Sequence, residues 1–386
     1  MRTAAQIVVV LRLGIKGLSQ RKWTSLAIVA SMGCVIGVLL SMLSVTAGML
    51  RAYRAGLDPQ LAIVLSTQTN TEYGTGIATG DIGTVLEAPG IAAGPNSRPL
   101  GDAEMLFWVP PRKGYVVASP ELRGIGPAGL ALRPDLRIVQ GRMFRFGRQE
   151  LIVGEGAERA YDLHVGEKVA LPGGEWPIVG VFTDGGSVLE GQLVADAISL
   201  MSAAHISGYG SVLVRLTRPN AFPTFSHWLT TNPSLKVTAE LASHYAARTV
   251  EQYAGFFTEF AYAIGLIMAA GALFGTVKLM YTAVSARTQE IGTLRAMGYE
   301  PLPIAVAVVL DVVLHSLAAA LLGAAVAWLL FNGRQVSDIH NVFDLSVSLR
   351  LFVIGVLWAL SLAILGGLLP AIRAARLSVA DAHRAT

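Results

Sequence analysis

The sequence predicts an α-helical membrane protein with four transmembrane helices plus an α+β extracytoplasmic domain between helices 1 and 2. Three observations carry this. First, residues 24–50 contain no charge at all, and 260–277, 301–331 and 351–372 are almost as apolar, each about long enough to cross a bilayer. Second, residues 51–251 have an ordinary aqueous composition, with 17 Lys/Arg against 19 Asp/Glu and frequent Pro and Gly. Third, the 386-residue chain is 53% hydrophobic with a mean hydropathy of +0.54, too apolar for an ordinary soluble protein.

The formal net charge of +4 does not point to nucleic acid, because the basic residues form no patch interleaved with aromatics. They sit where membrane topology wants them. The only cysteine, Cys34, lies in the first apolar run, so no intrachain disulfide is possible and no thiol metal site is implied. A central region of about 200 residues is large enough to bury a core of its own.

In order along the chain, residues 1–23 carry Arg2, Arg12, Lys16, Arg21 and Lys22 and no acid, which predicts a cytoplasmic N-terminus. Ile7, Leu11, Ile15 and Leu18 recur at helical spacing, so 1–23 reads as an interfacial helix leading into transmembrane helix 1 over 24–50. A cleaved signal peptide is the competitor, but the apolar run is about twice the usual length. Gly33 and Gly37 form a G-x-x-x-G that lets helix backbones approach closely, and Gly271, Gly275 and Gly323 are assigned the same packing role in later helices.

The extracytoplasmic domain covers 51–241. Alternating or apolar runs bounded by turn residues predict strands over 61–66, 104–109, 115–118, 150–153, 168–171, 176–182 and 211–216, and helices over 80–88, 156–163, 196–203 and 221–230. Irregular mixing of the two argues for α+β. Helical pattern resumes at Ala242 and continues without a breaker into 260–277, so 242–284 is a stalk continuous with transmembrane helix 2. A helix of that length reaches roughly 60 Å at 1.5 Å per residue, about twice the hydrocarbon thickness.

Residues 285–300 are a charged island in which Ile291, Leu294 and Met297 recur at helical spacing and Arg287 and Glu290 stand three apart. A loop whose positive charges merely anchor topology is the plainer reading. Transmembrane helix 3 follows over 301–331, interrupted by Asp311 and His315, four apart and therefore on one face. Intramembrane ionisable groups mark functional sites by default, so a proton relay and a structural polar contact are the two readings, the second preferred. An outer loop at 332–350, transmembrane helix 4 at 351–372 and a basic cytoplasmic tail at 373–386 complete the chain.

Val284, Arg287, Glu290-Ile291-Gly292, Leu294-Arg295-Ala296 and Gly298 together resemble the motif of the FtsX-like, MacB-type permease family of ABC transporters. Pieces of the central region, Arg123-Gly-Ile, Gly141-Arg-Met-Phe, Glu150-Leu-Ile-Val-Gly, Val165-Gly-Glu-Lys-Val and Ile178-Val-Gly-Val-Phe, are similar to that family's periplasmic domain. Pro370-Ala-Ile-Arg-Ala-Ala-Arg376 resembles its closing motif, with Ser378 and His383 standing where the family usually has proline and leucine. Where Asp311 falls, the family usually has a glutamate.

The resemblance implies that 285–300 is a coupling helix, with Arg287, Glu290, Ile291, Gly292, Leu294, Arg295 and Gly298 engaging a dimer of cytoplasmic ABC ATPases. It implies Asp311 and His315 as an intramembrane polar contact, a second permease copy or sister permease, a bacterial inner-membrane location with both termini cytoplasmic, and in some members a periplasmic adaptor and outer-membrane channel. The function implied is mechanical export or extraction of a substrate from the periplasm or outer leaflet. The alternative is a transmembrane signalling scaffold that activates an extracytoplasmic hydrolase.

Tests for chemistry within the chain come out negative. No Gly-Lys dipeptide occurs, so the G-x-x-x-x-G-K-[ST] phosphate loop is absent, and no cofactor is expected here; ATP and Mg belong to the partner ATPase. Leu171-Pro-Gly-Gly-Glu reads as a hairpin turn. The seven histidines form no H-x-x-x-H or H-E-x-x-H, no G-x-S-x-G elbow occurs, and neither metal nor catalysis is expected. Phe107-Trp-Val-Pro-Pro111, with Arg112 and Lys113 beside it, reads as core plus turn or as a contact for substrate or partner.

Overall fold

Residues 22–94, 97–109, 120–286, 288–337 and 342–376 are described by a computed structural model of the chain. The interfacial helix expected at 1–23 falls almost wholly outside these residues, as do the strand expected at 115–118, Arg287 and the end of the tail. The chain divides into a helical unit (residues up to 47, 255–332 and from 346) and a sheet unit (48–254 and 333–345).

Four helices are long and apolar enough to cross a membrane: α1 (Lys22–Arg54), α7 (Ala242–Ala286), α9 (Pro301–Phe331) and α10 (Leu349–Arg376). Each begins or ends where its composition says it should. Pro301 stands at the first helical position of α9, where its missing N–H is no loss, and Arg373 and Arg376 occupy the last turn of α10, facing the negative end of the helix dipole. Their shared core joins Met32, Ile36 and Leu40 of α1 with Ala319 and Ala320 of α9 and Ala359 and Ala363 of α10. Outward they show Ile267 and Phe274 of α7, Leu321 and Leu329 of α9, and Leu357 and Leu368 of α10. Exposed apolar faces of this extent suit lipid and not water.

Between α7 and α9 lies the short helix α8 (Thr288–Ala296).

The sheet unit contains β1 (Leu61–Ser66), α2 (Asp81–Leu86), β2 (Gly101–Trp108), β3 (Glu121–Ile125), α3 (Pro127–Ala131), β4 (Arg137–Gly141), β5 (Leu151–Gly154), α4 (Glu155–Tyr161), β6 (Lys168–Leu171), β7 (Gly174–Thr183), β8 (Gln192–Asp196), α5 (Ala197–Ala204), β9 (Ser211–Arg215), α6 (Phe222–Thr231) and β10 (Val237–Leu241). Their ten-stranded mixed sheet runs β10-β1-β9-β2-β3-β8-β5-β7-β4, with β6 paired to β7. Only β3 with β8 and β5 with β7 are parallel. The α+β expectation therefore holds.

Residues alternate between faces as the pleat requires. Leu151, Val153, Leu193 and Leu122 join Ala157 and Tyr161 of α4 in one core, while Ile152, Val194 and Ile125 turn to the other face with Phe144 and Phe182. Phe225 and Leu229 of α6 cover Val64, Val212 and Val214 further along.

Four strands, β3, β4, β8 and β10, are additional to the expected set. β3 and β8 begin or end on Glu121, Gln192 and Asp196, polar residues that are buried here and masked the strand pattern. Within the segment read as an outer loop, 332–350, a short hairpin forms from β11 (Gln335–Ser337) and β12 (Val342–Asp344), and it belongs to the sheet unit. Gln335 donates to the Gly156 carbonyl at 2.7 Å, and Val342 packs so closely on Gly191 that a Cβ there would lie 2.9 Å from the Val342 carbonyl oxygen. A polar-looking segment thus buries Val342, Phe343 and Leu345.

Candidate functional site

The charged island becomes a helix whose two faces do different things. Ile291 of α8 packs inward with Val284, Ile304 and Ala374, so the helix is fixed to both flanking long helices and to the end of α10, and Leu294 is buried on the same side. Gln289, Glu290, Thr293 and Met297 lie on the exposed side, Met297 being 63% exposed. The turn that follows closes with the Tyr299 amide donating to the Leu294 carbonyl (3.1 Å) and the Gly298 amide to the Arg295 carbonyl (3.1 Å). This six-to-one, five-to-two pattern needs a left-handed residue after the helix, and Gly298 supplies it at φ +91°.

Of the residues assigned to ATPase coupling, the structure therefore brings Ile291, Gly292 and Leu294 to the inner face, where their own chain covers them. Arg295 is half-buried and donates to the Tyr299 carbonyl at 2.9 Å, capping its own turn. Of the set, Glu290 lies on the exposed side of the helix and Gly298 is exposed at the turn.

Asp311 and His315 share a face of α9, as their spacing predicts. The His315 Nδ1 lies 2.7 Å from the Asp311 backbone carbonyl and 3.8 Å from its Oδ1. Among the described residues the Asp311 Oδ1 and the Thr276 Oγ1 are buried without a hydrogen-bond partner.

The glycines divide. A Cβ on Gly323 would sit 2.5 Å from the Gly33 carbonyl oxygen and 3.1 Å from the Gly37 nitrogen, so the G-x-x-x-G of α1 seats α9 within the same chain. Gly271 and Gly275 make no such contact: a Cβ at either would meet nothing within 4 Å. Among the described residues neither packs against another helix, and both lie on an exposed face of α7.

Sequence reading missed a second constellation, in the sheet unit. Register places Glu104 on β2, Glu121 and Arg123 on β3 and Gln192 on β8 on one sheet face. Arg123 donates to Glu72 (2.8 Å), Glu104 (2.8 Å) and Gln192 (2.9 Å), and Arg133 grips both oxygens of Glu104 at 2.7 and 2.8 Å. Gln192 then donates to Glu121 at 2.7 Å, and the Tyr73 hydroxyl donates to the other Glu121 oxygen. Glu104 is 1% exposed.

The electrostatics follow. Burial alone would raise the Glu104 carboxyl, but Arg133 and Arg123 outweigh it and hold it below the usual carboxylate range. Glu121, buried and hydrogen-bonded without a direct ion pair, is pushed up. Burial and the neighbouring Glu104 raise Asp102 to about 7, against the Gly126 amide that its Oδ2 accepts at 2.7 Å. The signal available in sequence was Arg123-Gly-Ile, quoted there as a motif but not as the hub of a network.

Among the described residues no group of His, Cys, Asp and Glu is arranged to hold a metal. The expected Phe107-to-Pro111 patch is described as far as Val109, with Val109 buried and Trp108 exposed beside Tyr73, their rings 5.1 Å apart.

Residues 262–379 match the FtsX-like permease C-terminal family. No curated protein matches the chain. Among solved structures, the periplasmic region of MacB from Actinobacillus actinomycetemcomitans is similar at 16% identity and a TM-score of 0.37, covering 51% of this chain and 94% of that one. The extracellular domain of the noncanonic ABC-type transporter YknZ from Gram-positive bacteria is similar at 14% identity and a TM-score of 0.35, covering 47% of this chain and 99% of that one. The family match spans the second half of α7 and all of α8, α9 and α10, about a third of the chain, so the chain carries an FtsX-like permease C-terminal domain there.

Proposed function

We propose that this permease couples ATP hydrolysis by a separate cytoplasmic ATPase to mechanical export or extraction of a substrate from the periplasm or outer leaflet. Membership of the family implies the ATPase partner; the mechanical stroke is the further step. The observation that supports it is the two-faced build of α8. Ile291 ties its inner face to residues of α7, α9 and α10, while Glu290, Thr293 and Met297 lie on its exposed face. Pressure on the outer face then moves three long helices as one body.

The hairpin of β11 and β12 supports the same reading, because it makes α9 and α10 covalently continuous with the sheet unit, as α1 and α7 already are. In this proposal α8 faces the cytoplasm, both termini lie on that side, and two permease copies, identical or sister chains, work on an ATPase pair. ATP and Mg stay in the ATPase.

The test is Glu290→Lys in the full chain with its ATPase co-expressed. Inverting the charge on the outer face, without touching the inner one, is expected to lower ATPase co-purification at least 10-fold while membrane insertion stays normal. Undiminished co-purification removes the docking role. Mass spectrometry of the same wild-type eluate separates the readings: an adaptor or outer-membrane channel favours export, whereas a bound hydrolase with no exported substrate favours signalling.

A further inference from the structure

The buried network of the sheet unit borders a cavity of about 130 Å³, lined by Glu121, Asp184 and the rings of Tyr53, Tyr73, Tyr245 and Tyr253. Its charges do not cancel. Four carboxylates line it, those of Glu72, Glu104, Glu121 and Asp184. Of the three lining guanidiniums, Arg248 is committed to Glu240 at 3.1 Å, and Arg123 and Arg133 are spent on Glu72 and Glu104. Glu121 and Asp184 remain without an ion pair among the described residues; Glu121 accepts from Tyr73 and Gln192, and Asp184 accepts from Ser187.

Neutral donors satisfy hydrogen bonding but leave the negative charge uncompensated in a partly desolvated space. Tyrosine rings attract a cation within about 6 Å through the negative side of their quadrupole, as Arg248 over the Tyr245 ring at 5.2 Å shows, and the rings of Tyr53, Tyr73 and Tyr253 line the same cavity. Size narrows the class: an apolar cavity of about 150 Å³ accommodates benzene. A hydrated metal is disfavoured by the aromatic walls and by the absence of a metal-ligating group among the described residues.

We infer that this cavity is a binding site for the ammonium head of a small organic cation, held by Glu121 and Asp184 beside the rings of Tyr53, Tyr73 and Tyr253. The site draws on the end of α1, the chain after β1, the start of β3, the loop after β7 and the first turns of α7, so a bound cation ties these segments of the sheet unit together. The inference is independent of the docking role of α8.

The experiment uses the full-length chain in detergent, with choline as probe and 3,3-dimethylbutan-1-ol, its neutral isostere, as control, followed by calorimetry and tyrosine fluorescence. Saturable choline binding at least 10-fold tighter than that of the isostere is expected in the unmodified protein. Glu121→Gln and, separately, Asp184→Asn should each weaken choline binding about 10-fold without changing affinity for the isostere. The comparison of choline with its isostere needs no variant, so a substitution that fails to fold leaves the test intact. No saturable choline binding, or equal binding of choline and isostere, overturns the site. Choline affinity unchanged in both folded variants overturns the assignment of Glu121 and Asp184 and with it the proposal.

Discussion

The helical unit is held by absence of side chain, the sheet unit by buried charge. Where α1 crosses α9, Gly33, Gly37 and Gly323 let backbones meet within van der Waals distance. Where β2, β3 and β8 lie side by side, Glu104, Arg123 and Gln192 form a connected polar net under an apolar sheet. The difference reflects the solvent each unit faces. Lipid is as apolar as leucine, so burying leucine does not choose one helix pairing over another, whereas close contact between small residues does. In water apolar burial drives collapse, and a buried ion pair, costly to break, discriminates between registers.

The largest effect should come from closing the helix crossing. Gly323→Leu places atoms where the Gly33 carbonyl stands, and we expect loss of folded protein by size-exclusion chromatography in detergent; a normal monodisperse yield breaks the account of the crossing. The network comes next. Glu104→Gln leaves two buried guanidiniums short of their carboxylate and should destabilise the sheet unit by about 3–5 kcal/mol. A loss under about 1 kcal/mol in chemical denaturation followed by tryptophan fluorescence would show the network to be dispensable.

A smaller effect concerns pH. Asp102 binds its proton more tightly folded, at about 7, than unfolded near the ordinary carboxylate value, so between these limits the native state holds more protons. Its contribution to stability therefore falls as pH rises from about 4 to 7, by at most about 1.4 kcal/mol per pH unit. Asp102→Asn should flatten that part of the profile of apparent Tm against pH; an unchanged profile removes Asp102 as its source. Gly271→Leu should do least. With nothing within 4 Å of its Cβ position, the monomer should change by less than about 0.5 kcal/mol, so a large loss in the same size-exclusion assay would mean that this face of α7 meets a second chain.

The legibility of the chain follows the same division. The four apolar helices were legible residue by residue, because a long uncharged run has few alternatives. β1 and β6 fall on the expected residues, and the turn at Pro172-Gly173 joins β6 to β7 as its composition predicts. β3 and β8 were not legible, since Glu121, Arg123 and Gln192 look like surface until their partners are known. Nor was the hairpin after α9, whose Val342 and Phe343 sit among polar neighbours.

The island between α7 and α9 shows how far a motif carries. Its spacing gave a helix and its turn, and Gly298 stands where a left-handed residue is required. Only packing decided which face was spoken for: Ile291 was taken by Val284, Ile304 and Ala374, and Arg295 by the Tyr299 carbonyl.

What the sequence by itself determined was the four long apolar helices, the α+β region between the first two and the charged island, because composition and period act within a few residues of each position. Tertiary structure decided that Gly33 and Gly37 meet Gly323, that Glu104 meets Arg123 and Arg133, and that four tyrosines from distant segments line one cavity with Glu121 and Asp184. Those choices depend on which surfaces are brought within a few ångströms of each other, and a local pattern holds no information about that distance.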